Sequence, residues 1–318
     1  MTALTRRGFA RLGAAALALG LRPARAEGSP KELRIGFQKA GLPVVARRQG
    51  PIEARLAGQG RSVRWVEFTA GPPLLEAMNV GAVDVGWTGD APPIFAQAAG
   101  AAIVYVAALP SNGAGEAVIV KPGSPVAALA DLRGRKVGFT KGSSSHNLTV
   151  AALERAGVPY QDITPVYLSP ADAAAAFARD AIDAWTIWDP FLAIAQQRHQ
   201  PRLLATSRDV LDVKTYFLAN KGFAAANPDT LRAVLAGLAE AAAWANGHRG
   251  EVAATLAEVT GVDLAAQTLA ANRTEFGIEP ITEAIVAGQQ ATADRFHRLG
   301  LIPRAIAVRE AVWTPRQS

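Results

Sequence analysis

An internal repeat with a spacing of about 100 residues constrains this chain more than any other feature. The run IGFQKAG at positions 35–41 returns as VGFTKGS at positions 137–143, and VEFT at 66–69 is matched by VYLS at 166–169. A third match places Asp84 and Asp183 99 residues apart, the same separation as Asp90 and Asp189. Each matched run is strand-like and leads towards a helix, so the repeat predicts one α/β unit that occurs twice.

The organisation of the chain follows from this repeat. Short β-branched runs alternate with Ala/Leu-rich stretches, which predicts an α/β fold with mainly parallel sheets in two lobes. Since no Gly/Ser- or Pro-rich linker separates the units, we interpret the strand-like runs at 116–120 and 215–219 as two crossings of a hinge. The sequence after Asn227 is helical, and we expect it to pack on the first lobe. The predicted lobes are therefore 27–118 with 221–318, and 119–220.

The N-terminal 26 residues have the pattern of an export leader. Arg6 and Arg7 precede an apolar run from Leu12 to Leu21, and Ala24-Arg25-Ala26 provides a small-x-small cleavage site. This pattern predicts a twin-arginine signal peptide at 1–26 and a periplasmic mature protein. The apolar run is about half the roughly 20 residues needed to span a bilayer, so we expect the mature chain to be soluble.

Composition excludes several classes of function. The leader holds five arginines and no acid, so in the mature chain 28 basic residues face 27 acidic ones, which gives no basis for a nucleic-acid partner. With no cysteine, the chain can have neither disulfides nor thiolate metal sites nor a cysteine nucleophile. The four histidines are scattered and no dinucleotide fingerprint occurs, so we expect no metal and no cofactor.

The loop KGSSSHN at 141–147 is the strongest candidate for a binding site. Ligands of open α/β sheets bind beyond the carboxyl ends of the strands, where this loop lies. Gly142 lets the backbone approach a ligand closely, and Ser143, Ser144 and Ser145 lie at a helix start with free N–H groups and a positive dipole end. One serine could be only a helix cap, but three in succession exceed that need. The loop therefore predicts an anion site.

His146 follows the serines and could suggest a base beside a nucleophile. Neighbours in sequence at a helix start do not face each other, and no acid is placed to orient the imidazole. Lys141 also precedes the glycine, so the loop is not a P-loop. We therefore expect His146 to contact the ligand rather than to act in catalysis.

The corresponding loops of the first lobe should form the opposite wall. Gln38 offers an amide donor, and Thr88 and the Gly89 amide follow the next matched strand. Asp90 precedes Pro92 at a helix start, which favours a helix cap over a general base. We keep all four as candidate ligand-site residues.

The equivalent loop of the second lobe contains Trp188 and Asp189. Asp189 is interpreted as a helix cap, like Asp90. Trp188 could either pack in the core or form an apolar wall beside the organic part of a ligand, whereas Trp185 is expected in the core. Both Trp188 and Asp189 are included in the candidate site.

These residues lie within longer motifs that resemble the aliphatic sulfonate-binding proteins, which are soluble components of ABC importers. The motifs span most of the mature chain: VEFTAGP at 66–72, LEAMNVG at 75–81, TGD at 88–90, PPIFAQAAGA at 92–101, KGSSSHN at 141–147 and IWDP at 187–190. The resemblance implies a type II periplasmic binding protein fold, a sulfonate held between the lobes and delivery to a membrane permease. We expect a monomer that is not an enzyme.

Two features leave other functions open. The family usually has a Gly/Ser-type loop after the equivalents of Gln38 and Lys39, whereas this chain has Ala40-Gly41-Leu42-Pro43. Relatives of the same fold bind taurine, nitrate or thiamine precursors, which are alternative ligands. A periplasmic hydrolase or lyase of sulfur or phosphorus esters is the alternative of another class, but it needs an activated nucleophile or a metal, and the sequence indicates neither.

Overall fold

The computed structural model describes residues 31–212 and 214–314. The predicted signal peptide at 1–26 lies outside these residues. Within the described ranges, no helix has both the length and the apolar character needed to cross a bilayer.

The described chain forms two five-stranded sheets, and helices connect most of the strands. The strands are β1 (Lys31–Phe37), β2 (Arg61–Glu67), β3 (Val85–Thr88), β4 (Ile103–Leu109), β5 (Glu116–Val120), β6 (Lys136–Phe139), β7 (Thr164–Tyr167), β8 (Ala184–Trp188), β9 (Arg202–Thr206) and β10 (Thr215–Asn220). The helices are α1 (Leu42–Gln49), α2 (Pro51–Ala57), α3 (Gly71–Asn79), α4 (Ala91–Ala98), α5 (Ser144–Arg155), α6 (Pro170–Ala178), α7 (Phe191–His199), α8 (Ser207–Val210), α9 (Lys221–Ala226), α10 (Pro228–Gly247), α11 (Arg249–Thr260), α12 (Leu264–Arg273) and α13 (Glu283–Arg298).

The two sheets have the same topology. The strand order is β2-β1-β3-β10-β4 in the first sheet and β7-β6-β8-β5-β9 in the second. In each sheet the first three strands are parallel, and the fourth, β10 or β5, runs antiparallel to both of its neighbours. The repeated α/β unit is therefore confirmed, with β1, β2 and β3 equivalent to β6, β7 and β8.

The chain passes between the sheets twice, once between β4 and β5 and once between β9 and β10. The runs at 116–120 and 215–219 are thus the strands that follow the crossings, not the crossings themselves. The predicted lobe boundaries are therefore wrong in two places. Residues 116–118, predicted in the first lobe, belong to the second sheet. Residues 215–220, predicted in the second lobe at 119–220, belong to the first sheet. The apolar pattern predicted both strands, but such a pattern does not say which sheet a strand joins.

The C-terminal helices cover the first sheet, as predicted. Leu231 and Leu238 of α10 and Val252 of α11 are fully buried in one core with Leu33 and Ile35 of β1. The last two helices also reach the second lobe, since Arg295 of α13 donates to Glu154 of α5 at 2.8 Å and Arg273 of α12 lies 3.4 Å from the Asp189 carboxylate.

A repeated aspartate joins neighbouring strands in each sheet. The Asp84 carboxylate accepts the Arg34 backbone N–H at 2.8 Å, and the Asp183 carboxylate accepts the equivalent N–H of Lys136 at 2.7 Å. Asp84 has a second role, because it also pairs with the Arg34 guanidinium at 2.6 Å and is buried, whereas Asp183 is exposed. The sequence match at these two positions therefore reflects a shared backbone contact.

We expect Asp84→Ala to lower the free energy of unfolding by about 2–3 kcal/mol, because it leaves the Arg34 guanidinium and N–H without their buried acceptor. Asp183→Ala is the matched control and should cost about 1 kcal/mol or less, since it removes one exposed acceptor. Urea denaturation followed by circular dichroism measures both. Equal losses in the two variants would contradict this account.

Candidate functional site

A cavity of about 170 Å³ lies between the two sheets. Its walls come from the segments that follow β1, β3, β6 and β8, which is the position expected for a ligand of open α/β sheets. The predicted site residues that line it are Gln38, Gly89, Asp90, Ser143, Ser144, Trp188 and Asp189. The predicted residues that lie behind this wall are Thr88, Gly142, Ser145 and His146.

Ser144 is the residue through which α5 meets the cavity. Gly142 has a φ of 71°, which only glycine adopts without strain, and Ser143 precedes the helix as its N-cap. Within the described residues, the Ser144 backbone N–H donates no hydrogen bond, as expected in the first turn of a helix. The hydroxyls of Ser143 and Ser145 bond to each other at 2.8 Å, so the three serines are not equivalent.

The first lobe meets Ser144 through Gly89. A Cβ atom on Gly89 would lie 2.8 Å from the Ser144 Cβ, so only glycine allows this approach. The Gly89 N–H also donates no hydrogen bond to any residue of the described chain. Thr88 is fully buried and its hydroxyl donates to the Gly89 carbonyl at 2.9 Å, which holds the loop from behind.

Gln38 lies on the same wall. It is 8% exposed, lines the cavity and donates its side-chain amide to the Trp87 carbonyl at 3.2 Å. The Trp87 indole Nε1 is enclosed and has no partner among the described residues. The Gln38 amide and the Trp87 indole are thus potential donors that carry no formal positive charge.

Asp90 caps α4 and also joins the lobes. Its carboxylate accepts the Ala91 N–H at 2.8 Å and a short hydrogen bond from Asn147 of α5. Gln289 of α13 donates to the Asp90 carbonyl at 2.6 Å. Burial raises the pKa of Asp90 to about 6, against the lowering effect of the Asn147 hydrogen bond. The cap expected from the sequence is present, and the link to Asn147 is an addition to it.

His146 belongs to an aromatic cluster, not to the cavity wall. Its ring stacks on Phe139 with centroids 4.9 Å apart, and its Nδ1 accepts the Gly142 N–H at 3.2 Å. The Tyr160 hydroxyl lies 3.1 Å from Nε2. Burial, with a smaller effect of Lys141, lowers the pKa of His146 to about 3, so the ring is neutral. His146 was expected at the ligand, but it does not line the cavity, because its ring packs between Phe139 of its own lobe and Phe95 and Phe296 of the first lobe.

On the opposite wall, Trp188 lines the cavity, and its ring packs edge-on against Phe191. Trp185 is 2% exposed, so its predicted place in the core is confirmed. The Asp189 carboxylate accepts the Ala193 N–H at 3.0 Å, as a helix cap does, and lies 3.4 Å from the Arg273 guanidinium. Burial raises the pKa of Asp189 to about 6, and Arg273 opposes this effect.

Several lining residues were missed by sequence reasoning. Glu116 begins β5, whereas Gln267 and Arg273 come from α12. They lie at the start of the strand that follows a crossing and on a C-terminal helix, outside the matched runs of the repeat, and no local motif marks them. Among the described residues, no group of three acidic or histidine side chains could hold a metal ion.

Comparison with known proteins agrees with this geometry. A protein of Escherichia coli (strain K12) named for the binding of aliphatic sulfonates is 42% identical over 295 residues, which cover 92% of each chain. The crystal structure of the periplasmic aliphatic sulphonate-binding protein SsuA from Escherichia coli has a TM-score of 0.83 at 41% identity and covers 91% of this chain and 94% of that one. The alkanesulfonate-binding protein SsuA from Xanthomonas axonopodis pv. citri, bound to MOPS, has a TM-score of 0.84 at 39% identity, with coverages of 90% and 99%.

The two lobes and the cavity between them define a two-lobed solute-binding protein, and the superpositions confirm the predicted fold. The sequence profile described as NMT1/THI5 like matches residues 58–252. The chain belongs to the family of the aliphatic sulfonate-binding proteins. These sulfonate relatives are binding proteins, in agreement with the expectation that this protein is not an enzyme.

We expect the His146 ring to stay neutral between pH 8 and pH 5, because its pKa lies well below its ordinary value. The ring nitrogens should keep the chemical shifts of a neutral tautomer throughout a ¹⁵N NMR titration, with assignment by His146→Gln. Protonation in this range would show that the imidazole is accessible to solvent.

Proposed function

We propose that this protein is a periplasmic solute-binding protein that captures aliphatic sulfonates between its lobes and delivers them to the permease of an ABC importer. One observation carries the proposal: the N–H groups of Ser144 and Gly89, which have no acceptor among the described residues, come from different lobes and meet at the same cavity. The Xanthomonas relative holds MOPS, a sulfonate, and it covers most of this chain at 39% identity.

The chemistry of a sulfonate suits these donors. A sulfonate is a permanent anion with three acceptor oxygens, and it has no proton to donate. The first turn of α5 supplies unpaired N–H groups and the positive end of the helix dipole, which together form an anion site. Neutral donors avoid the desolvation cost that a buried counter-charge would add.

The structure supports different roles for the predicted site residues. In the proposed complex, Gln38, Gly89 and Ser144 contact the anion, and Trp188 lies beside the organic tail. Asp90 and Asp189 line the cavity while capping α4 and α7. Ser143 lines the cavity at the N-cap of α5. The residues behind the wall support these loops without touching the ligand: Thr88, Gly142, Ser145 and His146.

Localisation and partners are part of the same proposal. The twin-arginine pattern at 1–26 supports export to the periplasm in folded form, and structural relatives are periplasmic. A hinge motion about the two crossings would close the lobes on the ligand, and the membrane permease would recognise the closed conformation. We propose that the protein acts as a monomer, since each binding site is built from one chain.

We expect alkanesulfonates to raise the melting temperature by about 5 °C at 100 times Kd, and Ser144→Asp to abolish this rise. The added carboxylate lies where the anion binds, so like-charge repulsion should weaken binding at least about 100-fold. Ser144→Ala keeps the backbone N–H and should lose about tenfold. Ser62→Asp, at an exposed position on β2, is the charge-matched control and should bind normally.

Calorimetric titration against a small panel of anions tests the ligand itself. We expect heat with sulfonates from ethanesulfonate to octanesulfonate. Binding of nitrate, taurine or a cationic pyrimidine in their absence would overturn the proposed substrate class. Turnover of a sulfate ester would overturn the proposal of a binding protein.

A further inference from the structure

Glu116 is a carboxyl group in the cavity without a positive partner. It begins β5, opposite Trp188 of β8, and lines the cavity beside Ser144. Its Oε2 accepts the Ser207 hydroxyl at 2.9 Å. Its Oε1 is enclosed and has no hydrogen-bond partner among the described residues.

The charges around Glu116 do not compensate it. The other ionisable side chains that line the cavity are Asp90 from α4, Asp189 after β8, Lys214 before β10, and Arg273 and Glu275 from the end of α12 and the segment after it. Arg208 follows Ser207 on α8, and its Nε donates to the Asn112 carbonyl. Both cations of the wall have other partners, since Arg273 pairs with Asp189 at 3.4 Å and Lys214 pairs with Glu279 at 3.0 Å.

A buried carboxyl group without a cation favours its neutral form. Burial raises the pKa of Glu116 to about 7, and the nearby Asp90 adds to this effect, whereas the neighbouring Ser144 hydroxyl and the hydrogen bond from Ser207 oppose it. As a neutral acid, Glu116 carries an O–H donor next to the first turn of α5. A bound anion would strengthen this preference, because it places a second negative charge beside the carboxyl group.

We propose that Glu116 binds the sulfonate as a neutral carboxylic acid that donates a hydrogen bond to it, so that capture of a sulfonate by protein with an ionised Glu116 takes up one proton. This inference rests on the proposed function. The proton comes from solvent and adds to the Glu116 carboxylate; no covalent bond to the ligand forms. Because a sulfonate brings no proton of its own, the donor has to belong to the protein.

The sign of the pH dependence follows from this linkage. The neutral form of Glu116 is fully present below its pKa in the free protein and is lost as the pH rises above it. If only this form binds, affinity falls about tenfold per pH unit above a pKa of about 7, which gives about a 25-fold loss between pH 6.5 and pH 8.5. Asp90 and Asp189 have pKa values of about 6, so this range is dominated by Glu116.

Isothermal titration of the mature protein with butanesulfonate tests the inference, because this ligand has no titratable group between pH 6.5 and pH 8.5. We expect the affinity to fall as calculated, and titrations at pH 8.5 in buffers of different ionisation enthalpy should show uptake of about one proton per ligand. Unchanged affinity without proton uptake would overturn the role of Glu116, while the proposed function would stand. Absence of binding at every pH would overturn the proposed function.

Glu116→Gln separates the neutral-acid role from other roles. The amide is a permanent donor of similar shape, so this variant should bind butanesulfonate at pH 8.5 within about threefold of the wild-type protein at pH 6.5, without proton uptake. The matched control is Glu251→Gln at an exposed position on α11, which should keep the wild-type pH dependence. Proton uptake that persists in Glu116→Gln, or a loss of binding at both pH values, would overturn the inference.

Discussion

β10 lies between β3 and β4 and forms backbone hydrogen bonds with both strands. In the same way, β5 lies between β8 and β9. Each inserted strand arrives directly from the other sheet, so these ladders fix the two crossings and hold the lobes together. Because both strands are antiparallel to their neighbours, they begin at the edge where the other strands end. Glu116 and Thr215 therefore join loop residues at the cavity. The composition of the site is a consequence of this topology.

The cavity is not an anion site that depends on an excess of positive side chains. Its lining holds more carboxyl groups than cations, and Arg273 is engaged with Asp189. The donors available to an anion are backbone N–H groups and neutral side chains, held by contacts behind the wall such as that of Thr88 with Gly89. Specificity in such a site depends on donor placement and on the protonation of nearby acids more than on net charge.

The repeat made much of the fold predictable, because equivalent strands, loops and helix starts obey the same local rules in both halves. Those rules predicted Gly89 and Ser144, which follow matched strands. They could not assign β5 and β10 to a sheet, since an apolar pattern gives no partner. Nor could they find Glu116, Gln267 or Arg273, which reach the cavity only through long-range packing. For His146, sequence position placed the residue near the site, but its ring packs in an aromatic cluster formed by residues of both lobes.

The insertion of β10 also affects the order in which the protein can fold. The second sheet uses only residues from Glu116 to Thr206, one continuous stretch of chain. In the first sheet β4 reaches its neighbours only through β10, which is synthesised after the whole second sheet. The first sheet therefore contains the strand pairs that are farthest apart in sequence. It stays incomplete until β10 has been synthesised. On the ribosome, the lobe that begins first is completed last.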